Sequence, residues 1–221
     1  MELNKILPLL VDGTLETLYM TIVSTLCAYV LGIPIGVLLY STDKKSITSC
    51  KPVNAVLGLI VNMVRSVPFI ILLVAILPLT RLIVGTSIGS TASIVPLVIA
   101  AAPFVGRMVE SSLKEVDNGV IEAAQAMGSS PFQIIYKVLL PEAAPSMIVG
   151  ATITITTILG YSAMAGFVGG GGLGAVAINY GYYRYQTDIM LVTVVLLVVI
   201  VQIFQWIGMK TAAKKDKRVI D

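Results

Sequence analysis

The chain has 221 residues, of which 57% are hydrophobic and only 12% charged, and its mean hydropathy is +0.93. A soluble domain of this size cannot bury so much apolar surface, so the composition excludes a soluble globular protein and predicts a membrane protein. The net charge of +3 comes mainly from basic residues on one predicted side of the membrane, so we expect no binding to nucleic acid.

Five apolar segments are long enough to cross about 30 Å of hydrocarbon as α-helices at about 1.5 Å per residue. They cover residues 14–40, 54–79, 91–113, 142–165 and 187–209. The ten-residue alternation of barrel strands does not occur in the sequence, so helices must satisfy the backbone hydrogen bonds. The sequence therefore predicts an all-α membrane protein with five transmembrane helices, forming a single transmembrane domain over residues 1–221.

Lysine and arginine predict the orientation of these spans. Eleven of the fifteen basic residues lie in or beside the segments after span 1, between spans 3 and 4, and after span 5. Those segments are then cytoplasmic, with the N-terminus outside and the C-terminus cytoplasmic.

Pro8 interrupts the first short apolar run and no small-x-small cleavage site follows, so we expect an uncleaved N-terminal anchor. Cys27 and Cys50 lie at different depths, which disfavours a disulfide, and the chain has no histidine to complete a metal site.

Span 2 contains a charge well inside the predicted hydrocarbon. Arg65 lies about a dozen residues, or about 18 Å, from the inner end of the span, which is beyond easy snorkelling. Pro68 removes the helical hydrogen bond to the Val64 carbonyl, so we expect Arg65 to play a structural role by serving the freed backbone oxygens. The alternative is direct contact with a substrate, because intramembrane charges often mark transport pathways.

The polar segment over 114–141 separates spans 3 and 4. Asp117 or Asn118 is suited to begin a short helix, and Gly128 is suited to end it. Ser130 then begins a Ser-x-x-Gln capping box for a second helix. A structured loop of this length favours a docking surface for a soluble partner, with a hairpin lying on the membrane surface as the alternative.

This hairpin resembles the EAA loop of ABC import permeases. Glu122-Ala123-Ala124, Gly128 and Val138-Leu139-Leu140-Pro141 keep the spacing of that family, with Val138 where isoleucine is usual. The resemblance implies that the helix over about 118–128 is a coupling helix in a cleft of a cytoplasmic ATPase. The residues implied to contact the ATPase are Glu122, Ala123, Ala124, Met127 and Gly128. ATP would bind to that partner, so we expect no enzymatic activity and no cofactor in this chain.

The similarity covers about residues 10–210. Arg65-Ser66-Val67-Pro68-Phe69, the Ala-Pro character of span 3 and the stretch 161–166 resemble permease subunits of bacterial methionine importers. That resemblance implies a homodimer in the bacterial inner membrane, a cytoplasmic ABC ATPase dimer and an extracytoplasmic solute-binding protein or lipoprotein. It also implies transport of an amino acid, methionine before any other small solute.

The pathway is predicted from span 4. Thr152, Thr156 and Gly160 recur every four residues and so share one helix face, which is suited either to a narrow path or to contact with a second copy. Met164, with Tyr161 nearby, is interpreted as part of an outer gate because a thioether is flexible enough to plug a pore and move aside. A lipid-facing methionine is the alternative.

The segment over 169–174 is rich in glycine but is not a phosphate loop, since no Lys-Ser or Lys-Thr follows it. With Tyr180, Tyr182, Tyr183 and Tyr185 beyond it, the sequence favours either a flexible outer loop that docks a binding protein or an aromatic belt at the membrane interface.

A secondary transporter driven by an ion gradient is the alternative in a different functional class. Such carriers normally need acidic residues or histidine within their spans. Here Glu16, Glu110 and Glu142 lie at span ends and histidine does not occur, which favours a permease driven by a separate ATPase.

Overall fold

The computed structural model describes residues 3–44, 46 and 48–216, with side chains from residue 6 onward. Within these residues the regular structure is entirely helical. The α-helices are α1 (Leu3–Ser41), α2 (Lys51–Ser66), α3 (Phe69–Ala75), α4 (Leu77–Val84), α5 (Ser90–Lys114), α6 (Asn118–Ala126), α7 (Pro131–Gln133), α8 (Leu140–Glu142), α9 (Ala144–Ala165), α10 (Gly172–Val176) and α11 (Thr187–Lys215). Two π-helices, Ile134–Leu139 and Ala177–Tyr182, and a 3₁₀ turn, Gly166–Val168, complete the described part of the chain.

Four of these helices, namely α1, α5, α9 and α11, are long and apolar enough to cross a membrane. α5 and α9 follow the predicted spans 91–113 and 142–165 closely. α1 is longer than predicted because it begins at Leu3 and continues through Pro8, and α11 continues to Lys215. Pro8 lies in the second turn of α1, and its missing N–H removes a single intrahelical hydrogen bond near the end of the helix.

The second predicted span, over 54–79, is broken into α2, α3 and the first part of α4. α2 and α3 are bent by 101° at the break between them, where Val67 has an extended backbone with φ −81° and ψ 126°. Proline has no N–H to donate and disfavours helical geometry at the preceding residue, so α2 ends at Ser66, just before Val67-Pro68. The described residues contain up to five spans if this bent pair counts as one.

Small residues let α1 pack closely along α5. A Cβ atom added to Gly32 would lie 2.5 Å from Val105 Cγ1, and one added to Gly36 would lie 2.6 Å from Val109 Cβ. Both distances are shorter than a normal contact, so only glycine permits this approach of the two backbones. Buried side chains of the core formed there include Met20, Leu97, Val105, Leu113 and Leu139.

The glycine-rich segment after α9 is tightly packed, which corrects the expectation of a flexible loop. The N–H of Gly172 donates a hydrogen bond to the Glu16 carboxylate at 2.6 Å. Gly174 is buried, and a Cβ atom added there would overlap the backbone of Ala163. The segment is therefore held between α1 and α9 and continues directly into α10.

Gly174→Val is expected to destabilise the packing of α10 on α9. The overlap with Ala163 forces the two backbones apart, and overpacking of this kind costs roughly 1–3 kcal/mol or more. Thermal unfolding of the purified protein should therefore occur at a lower temperature than in the wild type. Gly160→Ala is the matched control, because a Cβ atom there meets nothing within 4 Å. Equal unfolding temperatures for both variants would show that α10 is not packed in this way.

Candidate functional site

The helix α6 begins and ends close to the predicted limits. Asp117 precedes it, and its carboxylate accepts a hydrogen bond from Gly119 N–H at 2.6 Å. At the other end Gly128 has φ +79°, a conformation that favours glycine. The N–H groups of Gly128 and Ser129 donate back to carbonyls of the last turn at 2.9 and 3.1 Å, forming a Schellman motif. The short helix expected over about 118–128 is thus confirmed as Asn118–Ala126.

The second helix of the hairpin also begins as predicted. Ser130 and Gln133 form a reciprocal capping box, in which Ser130 N–H donates to Gln133 Oε1 at 2.8 Å. The following π-helix, Ile134–Leu139, was not predicted. Pro141 has no N–H to give the carbonyl four residues earlier, which favours the wider i→i+5 bonding here. α8 ends at Glu142, one residue after Pro141, and α9 then begins.

The residues implied to contact an ATPase do not all lie at the surface. Glu122, Ala123, Met127 and Gly128 are exposed, with Met127 79% accessible, whereas Ala124 is 3% accessible and packs into the core. The hairpin also presents a side chain that sequence analysis missed, Phe132, which is 75% accessible. Its ring stacks on that of Tyr136 with centroids 6.4 Å apart. The four-residue spacing of the two aromatics on one helix was the available signal.

An ion-pair network joins α5 to the segment after α1 and to α2. Glu110 is buried, and its carboxylate accepts hydrogen bonds from Arg107 at 2.7 Å and Lys114 at 2.8 Å. Lys114 also pairs with Asp43, which follows α1, at 2.8 Å. Arg107 in turn donates to Asn62 of α2 at 3.0 Å. Arg107, Glu110 and Lys114 share one helix face at spacings of three and four residues, and this spacing was the signal in the sequence for the network.

The hydrogen bond from Lys114 holds the pKa of the Asp43 carboxyl below its usual range. Because the folded-state pKa is depressed, the pair stabilises the fold above the ordinary aspartate pKa of about 3.9, and this contribution is lost as the pH falls through the folded value.

Asp43→Asn is accordingly expected to lower the free energy of unfolding at pH 7 by about 0.5 kcal/mol, the scale of a partly exposed ion pair. The difference from the wild type should diminish below about pH 4, where the carboxylate is protonated in the unfolded chain. Denaturant unfolding at both pH values measures the effect. A difference that grows toward low pH would contradict this assignment.

A cleft of about 750 Å³ lies between this network and α6. Its lining includes Tyr40, Asp43, Lys44, Lys114, Glu122 and Gln125. The carboxylate of Glu122 thus shares a cleft with two lysines, so a change of charge at this position alters the electrostatics of the whole surface.

The residues predicted to form the pathway do not converge on one cavity in this chain. Thr152 is buried against α11, where a Cβ atom on Gly208 would overlap its side chain. Thr156 is half-buried and donates to backbone carbonyls of its own helix. Gly160 and Met164 are exposed. Thr152 therefore contributes to helix packing, while Gly160 and Met164 face away from the described core.

A cavity of about 200 Å³ lies where the broken second span meets α5 and α9. Its lining includes Arg65, Val67, Phe69, Leu72, Phe104, Thr154, Thr157, Ile158 and Tyr161. Tyr161 stacks on Phe69 with ring centroids 4.4 Å apart, so the predicted gate residue forms one wall of this cavity. The threonines of α9 that line it are Thr154 and Thr157, which sequence analysis did not select.

Arg65 does not serve backbone oxygens in the structure. The Val64 carbonyl, expected to need Arg65, instead accepts a hydrogen bond from Val67 N–H at 3.3 Å because the chain turns there. The guanidinium lies over the ring of Phe104, 5.8 Å from its centroid. The expected structural role for Arg65 therefore finds no support, and the side chain faces the cavity.

Comparison with known proteins gives consistent results. Residues 32–209 match the family described as binding-protein-dependent transport system inner membrane component. The chain is 55% identical over 210 residues to the probable D-methionine transport system permease protein MetI of Vibrio cholerae serotype O1, covering 95% of this chain and 93% of that protein.

Solved structures agree with this match. A chain of the MetNI methionine ABC transporter, crystallised in inward-facing conformations, superposes with a TM-score of 0.96 at 49% identity, over 98% of this chain and 100% of that one. A chain of an amino acid ABC transporter crystallised with histidines shares the fold, with a TM-score of 0.78 at 20% identity over 95% of both chains. The chain therefore belongs to the family of binding-protein-dependent transport system inner membrane components.

Proposed function

We propose that this chain is the permease subunit of an ATP-driven ABC importer whose substrate is methionine. The observation that carries the proposal is the exposed helix α6, which holds the Glu-Ala-Ala sequence and is closed by Gly128. Support for methionine comes from relatives named for methionine transport and from the extent of similarity to a chain of the MetNI methionine ABC transporter.

The helix α6 would dock in a cleft of a cytoplasmic ATPase. Glu122 and Met127 are exposed on this helix, and the exposed Phe132 follows it in the hairpin. The hairpin would thus be cytoplasmic, with the N-terminus outside and the C-terminus inside. Lys214 and Lys215 at the end of α11 fit that orientation, because basic residues favour the cytoplasmic side.

Two copies of this single transmembrane domain would enclose the pathway, each presenting one α6 to one subunit of an ATPase dimer. ATP would bind only to the partner subunits, so this chain would hold no cofactor. An extracytoplasmic binding protein would deliver the substrate. We propose neither nucleic acid nor a metal ion as a ligand of this chain.

Closure of the ATPase dimer would draw the two α6 helices together. α5 ends at Lys114 and α6 begins at Asn118, so only three residues separate the docking helix from a transmembrane span. The ion pair of Lys114 with Asp43 and the hydrogen bond from Arg107 to Asn62 would carry the same displacement to α1 and α2. The spans would then rock between inward-open and outward-open arrangements.

The test is co-purification. The chain should be isolated from detergent extracts together with its ATPase, and the complex should hydrolyse ATP faster when the methionine-loaded binding protein is present. Purification of the chain alone from cells that express the ATPase would contradict the proposal.

A further inference from the structure

The charge of Arg65 has no counter-charge in the described part of the chain. Its guanidinium makes a contact with the Phe104 ring, and no ion pair or hydrogen bond from it occurs among the described residues. Arg107 differs, because its guanidinium is paired with Glu110 and bonded to Asn62. Arg65 is exposed on the surface of this single chain, and a cation within an apolar span is costly unless an anion or a polar group faces it. The geometry at Arg65 is suited to an anion supplied from outside the chain.

Two hydroxyl groups of α9 line the same cavity. Thr154 Oγ1 donates its proton to the Gly150 carbonyl at 2.8 Å, and Thr157 Oγ1 donates to the Ile153 carbonyl at 2.8 Å. Thr154 is 1% exposed and also hydrogen-bonds with the Tyr29 side chain. Thr157 retains lone pairs that can accept from a cationic donor such as an ammonium group. The cavity therefore offers a cation and one free acceptor.

The remaining lining is apolar or aromatic, including Val67, Phe69, Leu72 and Ile158. An apolar protein cavity of about 150 Å³ admits benzene, which has about six non-hydrogen atoms. The cavity of about 200 Å³ is therefore of a size suited to an amino acid with a short apolar side chain.

We propose that this cavity is an amino-acid binding site within the permease. Arg65 binds the α-carboxylate, Thr157 accepts from the α-ammonium group, and the wall formed by Phe69 and Leu72 receives the apolar side chain. The permease then selects its substrate itself, in addition to any selection by a binding protein. This inference rests on the proposed import function for the class of substrate.

Equilibrium binding of radiolabelled methionine to the purified complex of permease and ATPase, without binding protein or ATP, tests the site. Arg65→Gln should remove a component of binding, with affinity for methionine reduced at least about tenfold, because a charge-assisted hydrogen bond is lost. Arg81→Gln is the matched control, since Arg81 is an exposed arginine of α4 that lies outside this cavity. It should bind methionine as the wild type does.

Methioninamide separates recognition of the carboxylate from general loss of structure. Lacking the negative charge, it should compete weakly for the wild type and equally weakly for Arg65→Gln. If Arg65→Gln does not assemble, Ala100→Leu replaces it, because Ala100 lines the cavity and the larger side chain fills it without changing any charge. This variant should also lose the binding component.

The proposed site is overturned if Arg65→Gln binds methionine with wild-type affinity. Where that variant does not assemble, wild-type affinity of Ala100→Leu for methionine overturns it. ATP-driven methionine uptake by a wild-type complex that shows no such binding component overturns the site and leaves the proposed function intact. Binding that depends on Arg65 in a complex that drives no uptake overturns the proposed function and leaves the site intact.

Discussion

Glu122→Lys is expected to abolish association with the ATPase while leaving the folded permease in the membrane. Glu122 is exposed on α6 and shares its cleft with Lys44 and Lys114. The cleft also holds Asp43, so its charges now balance, and a third lysine would make the surface that the proposed coupling helix offers to its partner positive. Like charges across an interface cost several kcal/mol. The helix itself should persist, because lysine and glutamate have similar helix propensities. Co-purification of the ATPase with the tagged permease measures the effect.

The matched control is Glu142→Lys. Glu142 is an exposed glutamate at the other end of the same hairpin, in α8, and does not line the cleft. The same charge reversal there should leave the ATPase bound. Normal co-purification of Glu122→Lys would show that α6 is not the docking surface, and equal loss in both variants would show that the effect is not specific to α6.

Glu110→Gln is expected to lower the free energy of unfolding by about 3 kcal/mol, the lower end of the range for breaking a buried ion pair. Its carboxylate is 8% accessible and receives both Arg107 and Lys114. Glutamine keeps the shape but leaves Arg107 without its negative partner and leaves Lys114 paired with Asp43 alone. Both cations are partly accessible, so water compensates some of the loss. Denaturant unfolding of the purified permease gives the value.

A double-mutant cycle isolates the interaction. Lys114→Met should destabilise the wild type more than it destabilises Glu110→Gln, because the lysine has already lost one anion there. Ser111→Ala, an exposed neighbour on α5, is the control and should be neutral. Additive effects of the two substitutions would show that Glu110 and Lys114 do not interact.

The features that were predicted well depend on short-range chemistry. Asp117 and Gly128 delimit α6 because a capping carboxylate and a left-handed residue act within a few positions. The same holds for Ser130 and its capping box. Such signals are contained in the local sequence, so the hairpin could be predicted before any packing was known.

The broken second span was predicted less well. Pro68 indicated a disturbed helix, but the angle of 101° also depends on where α3 packs. The stacking of Phe69 on Tyr161 joins residues far apart in the sequence. No periodicity within span 2 contains that contact, so the sequence predicts a span over 54–79 but not its bend.

The membrane cavity was missed for a similar reason. The four-residue spacing of Thr152, Thr156 and Gly160 correctly identifies a helix face, but it does not say which neighbour that face meets. In the structure Thr152 meets Gly208 of α11, while Thr154 and Thr157 face the cavity. The choice depends on the arrangement of α5, α9 and α11, which a single sequence does not specify.

The central claim, that this chain couples methionine import to a separate ATPase, is tested most directly in reconstituted vesicles. The permease, its ATPase and a binding protein loaded with methionine are combined, and ATP hydrolysis and methionine uptake are measured together. We expect methionine-loaded binding protein to stimulate both, and both to disappear with Glu122→Lys. Methionine uptake that follows an ion gradient and ignores ATP would contradict the claim.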